Sequence, residues 1–480
     1  MQSYCLLPIL LAVAVTSAQG QSQTVTSLSA VPATANLGQA VTLTVSVNPS
    51  TATGKVMFYD GTTILGVAPL FNGSSQLATI AIGYGKRVLT ARYSGDSHYA
   101  GSLSPSFIEH ITTKPGGAFV AGTGTAYLDS HLMPAALADL NHDGNADLVA
   151  SGNNADNGTI WVFLGNGDGT LQEARSYLPG TSSYGVAVAD INMDSNPDLL
   201  VTGPTGLNSL IGNGDGTFTT GSTILDATDL YIVRVADING DGKPDVLVLR
   251  STSPAVEILF GNGDGTFQTG TPVMLPLSSP PNDLLVADFN GDGIPDLAVA
   301  IPGANCVTVS LGAGQGTFGA AVAYTSFAAG TLNVGDLNND GKLDLVVGGP
   351  YATFDLLLGN GDGAFGPAYS ISTYEGPAQT LGTYPIPPFD LDGDGNADVV
   401  TSGLFVLLGN GDGTFRAPLQ FFNLPFGGGQ VFGDLNGDGI VDILASGLAA
   451  AIQPWLGARE GPVFLHFRAH PPGNNYCATG

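Results

Sequence analysis

The chain has few cysteines and few basic residues, and beyond its N-terminus it has no long apolar segment. Three of its 480 residues are Cys and 13 are Lys or Arg, against 40 acidic residues. Cys306 and Cys477, the two cysteines beyond the N-terminal segment, exclude a disulfide framework, and their positions do not favour a single bridge. The shortage of basic residues excludes a nucleic-acid-binding face, and no later apolar run is long enough for a transmembrane helix.

The N-terminal segment is the exception to this lack of apolar runs. Its first 20 residues are uncharged, with an apolar run from Leu6 to Val15 followed by the small residues Thr16, Ser17 and Ala18. Such a run is too short to span a membrane and is typical of a secretory signal peptide. We therefore expect residues 1–20 to be a signal peptide and the protein to be secreted or held at the cell surface.

A nine-residue pattern, Asp-x-Asn/Asp-x-Asp-x-x-x-Asp, occurs seven times between Asp139 and Asp442. Its copies start 44 to 54 residues apart and carry an acid or amide at positions 1, 3, 5 and 9. Oxygen ligands at alternate positions, closed by a carboxylate, suit the coordination of Ca²⁺ better than the small octahedral shell of Mg²⁺. An EF-hand is excluded because its loop is longer, ends with Glu and is flanked by helices. The metal-free alternative is a hairpin held by Asx-turns alone.

The distribution of charge favours bound cations. Residues 114–480 contain nine basic and 37 acidic residues, and 22 of these acids lie in the seven patterns. So many carboxylates would repel one another if they were left bare. Seven Ca²⁺ ions would halve the net charge of this region from −28 to −14.

Each copy of the pattern belongs to a repeat of four short predicted strands. In the third repeat the strands Ile232–Ala236 and Val246–Leu249 flank the acidic stretch, and Ala255–Phe260 leads into the turn Gly-Asn-Gly-Asp-Gly. This turn is altered at Gly312 and largely lost at Gly457. A fixed period with four strands and no helical periodicity predicts a seven-bladed β-propeller, with a solenoid as the alternative.

A Phe-containing strand occurs eight times, once more often than the acidic pattern. We expect the copy at Phe119–Leu128 to complete the last blade as its outer strand, so that the strand beginning at Val463 is left over; the reverse assignment stays open. The propeller is accordingly placed at residues 116–465, and residues 466–480 are placed in a C-terminal tail.

The segment 23–113 has a different character. Val41, Leu43, Val45 and Val47 alternate with Thr and Ser, the period-2 pattern of a strand, and further strand-like runs follow. About 90 residues of short strands with polar turns predict a small β-sandwich. The stretches Pro32-Ala-Thr-Ala-Asn-Leu-Gly-Gln and Tyr93-Ser-Gly-Asp-Ser-His-Tyr-Ala-Gly-Ser resemble bacterial immunoglobulin-like domains, which implies a non-catalytic spacer or adhesion module. The expected fold class is therefore all-β, an immunoglobulin-like sandwich followed by a propeller.

The repeats resemble FG-GAP/VCBS repeats, the units of integrin α-subunit propellers. The resemblance rests on Val-Ala-Asp-x-Asn-x-Asp-Gly-x-x-Asp-Leu followed by Leu-Gly-Asn-Gly-Asp-Gly-Thr-Phe. It implies a Ca²⁺ site in each repeat, with the backbone carbonyl of Asn145 completing the first. Ser195 replaces Gly in repeat 2, which we expect to strain that loop, and Asp392 adds a fourth carboxylate to repeat 6. The implied side-chain ligands are Asp139, Asn141, Asp143, Asp147, Asp190, Asn192, Asp194, Asp198, Asp237, Asn239, Asp241, Asp245, Asp288, Asn290, Asp292, Asp296, Asp336, Asn338, Asp340, Asp344, Asp390, Asp392, Asp394, Asp398, Asp434, Asn436, Asp438 and Asp442.

Antiparallel order places the acidic pattern and the glycine-rich turn on one face of the repeats and the segments of variable length on the other. We predict partner contact on the second face, above all at Thr373–Pro388, where Tyr374 and Tyr384 offer aromatic surface. The alternative is that such aromatics only cap the blade ends. Other variable segments are Ser182–Tyr184, Asp229–Tyr231 and Pro280–Asp283.

We expect a non-enzymatic binding or adhesion module for a glycan or an extracellular protein, loaded with about seven Ca²⁺ ions. The motifs Gly-x-Ser-x-Gly, His-Glu-x-x-His and Cys-x-x-Cys are all missing, and the six histidines have no metal-ligand spacing. A structural component of the cell surface is the first alternative. A Ca²⁺-assisted polysaccharide lyase is the second, although it needs a base that few basic residues could supply.

Overall fold

The protein is described by a computed structural model that is all-β over the residues it covers. Those residues are 21–116, 118–121, 125–126, 132–152, 159–179, 185–276, 279–349, 353–372, 388–401, 405–420, 426–447 and 451–458. The expected signal peptide, Ser182–Tyr184, the tyrosines Tyr374 and Tyr384, and the C-terminal tail lie outside them. No helix in this described part is long and apolar enough to cross a membrane. One 3₁₀ turn, Pro302–Ala304, is present.

The N-terminal domain consists of nine strands in two sheets. One sheet has the order β1-β3-β6 and the other the order β2-β9-β7-β4-β5, with β8 added to β7. The strands are β1 Val25–Val31, β2 Ala35–Asn36, β3 Val41–Asn48, β4 Lys55–Asp60, β5 Thr63–Pro69, β6 Ser74–Thr79, β7 Gly85–Tyr93, β8 Ser102–Leu103 and β9 Phe107–Thr112.

The predicted alternation in β3 is confirmed, because Val41, Leu43 and Val45 are fully buried between the two sheets. They form one apolar core with Phe58 and Tyr93. Strand β4 departs from this alternation, since every residue from Val56 to Asp60 is buried. A strand that is buried on both faces must pack against something outside its own sandwich.

The rest of the described chain forms seven successive repeats, here called repeats 1 to 7, each built around one main sheet; repeat 4 has in addition a two-stranded sheet of β28 and β29. Repeats 1 to 3 contain β12 Leu132–Ala138, β13 Asp147–Gly152, β14 Ile160–Phe163, β15 Arg175–Tyr177, β16 Gly185–Ala189, β17 Asp198–Gly203, β18 Gly206–Gly212, β19 Phe218–Leu225, β20 Leu230–Ala236, β21 Asp245–Arg250, β22 Ala255–Gly261, β23 Phe267–Thr269 and β24 Val273–Met274. Repeats 4 and 5 contain β25 Asp283–Ala287, β26 Asp296–Ile301, β27 Cys306–Ser310, β28 Gly312–Gly314, β29 Thr317–Phe318, β30 Val322–Thr325, β31 Thr331–Gly335, β32 Asp344–Gly348, β33 Thr353–Leu357 and β34 Tyr369–Ser372. Repeats 6 and 7 contain β35 Val399–Val400, β36 Phe405–Leu407, β37 Leu419–Gln420, β38 Phe426–Gly433, β39 Asp442–Gly447 and β40 Ala451–Ala458.

Neighbouring strands within each sheet of the repeats pair antiparallel, as predicted for repeat 3, where β20, β21, β22 and β23 lie side by side. The acidic pattern connects the first strand of each repeat to the second, and the glycine-rich turn connects the third to the fourth. Both connections therefore lie on one face, which we call the acidic-loop face. In repeat 6 a single bridge between Phe389 and Asp398 stands in for the first strand.

Seven apolar clusters fill the spaces between successive sheets of the described residues. Leu140 and Val149 of repeat 1 pack with Leu199 of repeat 2, and equivalent clusters join each later pair of neighbours. The seventh cluster joins the ends of the series, since Leu148 of repeat 1 packs against Leu444 of repeat 7. Strand β12, the first of repeat 1, also contacts β38, the first of repeat 7.

The last sheet takes its outer strand from the start of the repeat region. Strands β10 (Ala118–Ala121) and β11 (Thr125–Ala126) pair antiparallel with β40, so that Ala118 lies opposite Ala458. This is the pairing predicted for Phe119–Leu128. In the described part of the chain Cys306 is a free, buried thiol, and Cys477 lies outside that part.

We predict that proline at Phe119 or at Val120 destabilises the protein. Successive N–H groups of a strand point to opposite sides, so one of the two substitutions removes a hydrogen bond to β40, at a cost of roughly 1–3 kcal/mol. Thermal unfolding should show this loss. Ala469→Pro is the control; if it destabilised the protein more than either substitution, the strand after Val463 would be the closing one.

Candidate metal centre

The nine residues of each acidic pattern form a loop, here called an acidic loop and numbered after its repeat. Side-chain oxygens of the loop accept hydrogen bonds from its own backbone. In loop 3 the N–H of Asp241 donates to Asp237 Oδ1 (3.0 Å) and to Asn239 Oδ1 (2.8 Å), and the N–H of Gly242 donates to Asp237 Oδ2 (2.9 Å). The N–H of Lys243 then donates to Asp241 Oδ1 (3.0 Å). The other six loops repeat these bonds at positions 1, 3 and 5.

Position 9 has a different part in the loop. In loop 3, Asp245 Oδ2 accepts the N–H of Ile238 (2.9 Å), and its Oδ1 accepts the N–H of Gly261 (2.8 Å) at the start of the glycine-rich turn. The position-9 aspartate is fully buried in all seven repeats and makes both bonds in each. The bond from the glycine N–H to Oδ1 is also present at Gly312 and Gly457, where the turn sequence is altered. One carboxylate therefore ties together the two connections of each repeat.

The glycine whose N–H donates this bond cannot carry a side chain. A Cβ on Gly261 would lie 2.0 Å from the carbonyl oxygen of Pro244, and one on Gly212 would lie 2.1 Å from that of Pro197. These contacts are to backbone atoms, which cannot move aside. The glycine at this position is therefore required by close approach to the acidic loop rather than by a positive φ.

Burial raises the pKa of every position-9 carboxyl, and the two N–H donors oppose that rise only in part. The pKa is raised to about 7 for Asp245, Asp398 and Asp442, and to about 6 for Asp147, Asp198, Asp296 and Asp344. Neighbouring loop carboxylates raise it further. A carboxylate held in this way favours any cation that approaches it.

The donor set fits a hard cation. In each loop the oxygens of positions 1 and 3 converge on one N–H, and a carboxylate oxygen that accepts a single N–H keeps a second acceptor site. Among the described residues, oxygens of Asp390, Asp392 and Asp398 in loop 6 lie within 4.8 Å of one another. All donors are oxygen, which is the ligand type that Ca²⁺ takes. The same loops also form the Asx-turn network of the metal-free alternative, in which the side-chain oxygens accept backbone N–H groups.

Basic side chains modify the charge of three loops. Arg416 donates to Asp392 (3.0 Å) and to Asp394 (2.7 Å) in loop 6, so the extra carboxylate of that loop is matched by a guanidinium. Lys342 lies 3.3 Å from Asp340 in loop 5, and Lys243 lies 3.6 Å from Asp241 in loop 3. The fourth carboxylate is expected to tighten cation binding by loop 6, and Arg416 offsets part of that gain.

The N-terminal domain covers part of the acidic-loop face, which the sequence analysis did not anticipate. The Tyr59 hydroxyl donates to Asp237 Oδ2 (2.7 Å), and Arg92 Nε lies 3.7 Å from the same oxygen. Lys55 donates to the carbonyl oxygen of Met193 in loop 2. The sequence signal for this contact is Val56-Met-Phe-Tyr59, an unbroken apolar run that contrasts with the alternation in β3.

The position-1 aspartates fall into two groups that differ in solvent exposure. Asp190, Asp237, Asp390 and Asp434, in loops 2, 3, 6 and 7, are 4 to 7 % exposed, whereas the position-1 aspartates of the other three loops are half-buried. Burial raises the pKa of all four covered carboxyls, to about 7 for Asp190.

On the opposite face, two of the variable segments are occupied by contacts between repeats. The Tyr231 hydroxyl donates to the carbonyl oxygen of Pro281, and Arg234 Nη2 lies 2.9 Å from Asp283. Asn282 Nδ2 donates to the carbonyl oxygen of Gly330 (2.7 Å). For these segments the structure favours the alternative that polar and aromatic side chains cap the sheets. Tyr374 and Tyr384, the preferred binding residues, lie outside the described residues.

We predict that Asp245→Asn destabilises the chelated protein by about 1–3 kcal/mol, because a buried amide can accept only one of the two N–H donors. Urea unfolding in the presence of a chelator measures this loss without any contribution from cations. Asp226→Asn, an exposed change outside the acidic loops, should leave the midpoint within error. Equal effects of the two substitutions would contradict the structural assignment of position 9.

Ser195 provides a second prediction. Its φ of 79° lies in the left-handed region, where the six equivalent residues are glycines. A side chain in this region destabilises the folded state by roughly 1–2 kcal/mol. Glycine recovers only part of this free energy, because it loses more backbone freedom on folding than serine does. We expect Ser195→Gly to raise the melting temperature and Gly144→Ser, at a position with φ of 83° and open space around it, to lower it. A decrease with Ser195→Gly would refute the strain.

Solved structures match this chain only at low sequence identity. A comparison with curated proteins finds no match. Matching solved structures include the Photorhabdus luminescens Tc holotoxin pore (18 % identity, TM-score 0.35, 78 % of this chain), of which this chain spans only 17 %. A functionally unknown protein from Desulfotomaculum acetoxidans matches at 14 % identity and TM-score 0.44, over 60 % of this chain and 84 % of that one. The periplasmic gluconolactonase of Pseudomonas aeruginosa matches at 15 % identity and TM-score 0.44, over 76 % and 96 %.

Family models match most of the chain. A bacterial Ig-like domain (group 3) matches residues 28–112, which confirms the expected immunoglobulin-like domain. The FG-GAP-like repeat matches residues 139–201, 190–248, 237–299, 336–401 and 390–445, and the FG-GAP repeat matches residues 281–321. The chain therefore belongs to the FG-GAP repeat family, with an N-terminal bacterial Ig-like domain preceding its repeats.

Proposed function

We propose that the protein is an exported, Ca²⁺-loaded β-propeller that serves as a non-enzymatic binding or adhesion module. The observation that carries the proposal is the set of seven acidic loops on one face, each with the same converging oxygens. The FG-GAP repeats support a binding scaffold.

The seven sheets are best explained as the blades of one closed propeller. Support comes from the apolar cluster between Leu148 and Leu444, which joins repeat 7 to repeat 1 in the same way as the other six clusters join successive repeats. Pairing of β10 with β40 adds a second link between the two ends. A solenoid would leave its terminal sheets without such contacts.

Cation binding is supported by charge as well as by geometry. The 22 acidic side chains of the loops lie on one face with few basic partners. Positions 1 and 9 are buried or half-buried, where a bare carboxylate is costly. Ca²⁺ would stabilise the folded state by mass action, by about 2.7 kcal/mol for each site at a hundredfold excess over its dissociation constant.

A binding role is supported by the scaffold and by the hydrogen bonding of the loop carboxylates. The aspartates that could act as acids or bases are engaged by backbone N–H groups in the loops. With the acidic-loop face partly covered, we place the partner, a glycan or an extracellular protein, on the opposite face. Glycan-array and binding-partner screens with and without Ca²⁺ test this role.

A structural cell-surface component is the second candidate. It is favoured by the contacts of Tyr231 with Pro281 and of Asn282 with Gly330, which use opposite-face residues to join repeats. Retention of the protein on the cell surface without any ligand in the screens would favour this candidate.

We predict an uptake of about seven Ca²⁺ per chain and a lower melting temperature after chelation. Asp292→Ala, in an uncovered loop, should remove one of the sites measured by titration calorimetry. The difference in melting temperature between this variant and the wild type should become smaller when a chelator is present. Asp226→Ala is the matched control. If chelated protein took up no Ca²⁺ and melted at the same temperature, the loops would be held by Asx-turns alone.

A further inference from the structure

The Ig-like domain contacts the repeats through a surface that is separate from its own core. Met57, Tyr59 and Val67 face away from the sandwich core and pack against Met193 of loop 2. Arg92, opposite Met57 in the sheet, extends the same surface to loop 3. The outer face of strands β4, β5 and β7 is thus a docking surface for the repeats.

The hairpin between β4 and β5 reaches the first strands of several repeats. The Thr62 hydroxyl donates to the carbonyl oxygen of Val286 in repeat 4 (3.2 Å). Thr63 and Ile64 line a shared cavity with the first strands of repeats 1, 2 and 3. The hairpin therefore lies over the centre of the acidic-loop face.

The segment that follows the Ig-like domain fixes the opposite side of the contact. Thr113 donates to the carbonyl oxygen of Asp390 in loop 6, and Lys114 donates to the carbonyl oxygen of Asp438 in loop 7. The backbone N–H of Lys114 donates to Gly439 (2.7 Å) and that of Gly116 to Leu391 (3.0 Å). The domain is held at both ends of its contact, on loops 2 and 3 and on loops 6 and 7.

These four loops carry an excess of negative charge beneath the domain. They contain 13 aspartates in the acidic pattern, of which the position-1 and position-9 residues are buried. Among the described residues, five basic side chains reach them, which leaves eight negative charges that four divalent cations would balance. The basic side chains are Lys55, Arg92, Lys114, Lys243 and Arg416.

We propose that the Ig-like domain is an intramolecular cap whose docking is coupled to cation binding in loops 2, 3, 6 and 7, while loops 1, 4 and 5 bind cations independently of it. This inference rests on the proposed Ca²⁺ binding. Covering uncompensated carboxylates is costly, so cations in the four loops favour docking. By reciprocity, docking strengthens cation binding in those loops by the same factor.

The test is Ca²⁺ titration calorimetry on the chelated full-length chain, together with small-angle scattering to measure the distance between the two domains. The wild type should bind in two classes, of about four and about three ions. Met57→Glu adds a negative charge to the docking surface without touching the sandwich core. We expect it to separate the domains and to weaken the four-ion class by roughly tenfold, within the range of common coupling factors, while the three-ion class is unchanged.

Val88→Glu is the matched control, because Val88 lies on the same outward face of the sheet but is 43 % exposed. It should bind Ca²⁺ as the wild type does. Separated domains in Met57→Glu with an unchanged isotherm would overturn the coupling while leaving Ca²⁺ binding intact. In the wild type, an unchanged domain distance after chelation would overturn it as well. No Ca²⁺ uptake at all would refute both this inference and the proposed function.

Discussion

In every repeat one buried aspartate uses both carboxylate oxygens to hold two separate stretches of backbone. Asp245 illustrates the consequence, since Ile238 at the start of the acidic loop and Gly261 at the start of the next turn are fixed relative to each other through it. The side chain of Ile238 then packs in the cluster between repeats 3 and 4. Loop shape, sheet packing and the placement of the loop oxygens all depend on this contact.

The seven acidic loops concentrate negative charge on one face of the repeats. Basic side chains from two parts of the molecule offset some of that charge. Within the repeats, Arg416 spans two carboxylates of loop 6. From outside, the Ig-like domain brings Lys55, Tyr59 and Arg92 onto the same face, and the segment that follows the domain adds Lys114. The two modules are therefore better described as one electrostatic unit than as a binding domain with a spacer.

Much of this architecture could be predicted from sequence because it is periodic. Seven in-register patterns specify where each strand must begin, and the alternation from Val41 to Val47 specifies which face of β3 is buried. The role of Asp245 could not be separated from that of Asp241, because both are aspartates at ligand spacing and only burial distinguishes them. Docking was missed because it is a contact between two modules with no shared period. In the sequence this docking is indicated by the unbroken apolar run Val56–Tyr59.

The pairing of β10 with β40 has a consequence for how the chain reaches its native state. Ala118 is synthesised early, yet its partner Ala458 is among the last described residues to emerge. Contacts between such distant parts of a chain form slowly because a long loop must close first. The last sheet is therefore completed only after the chain has been made as far as Ala458, and β10 lacks its partner strand until then. Since β10 directly follows the segment that anchors the Ig-like domain, an early-folded cap would hold that strand close to the place where its partner arrives.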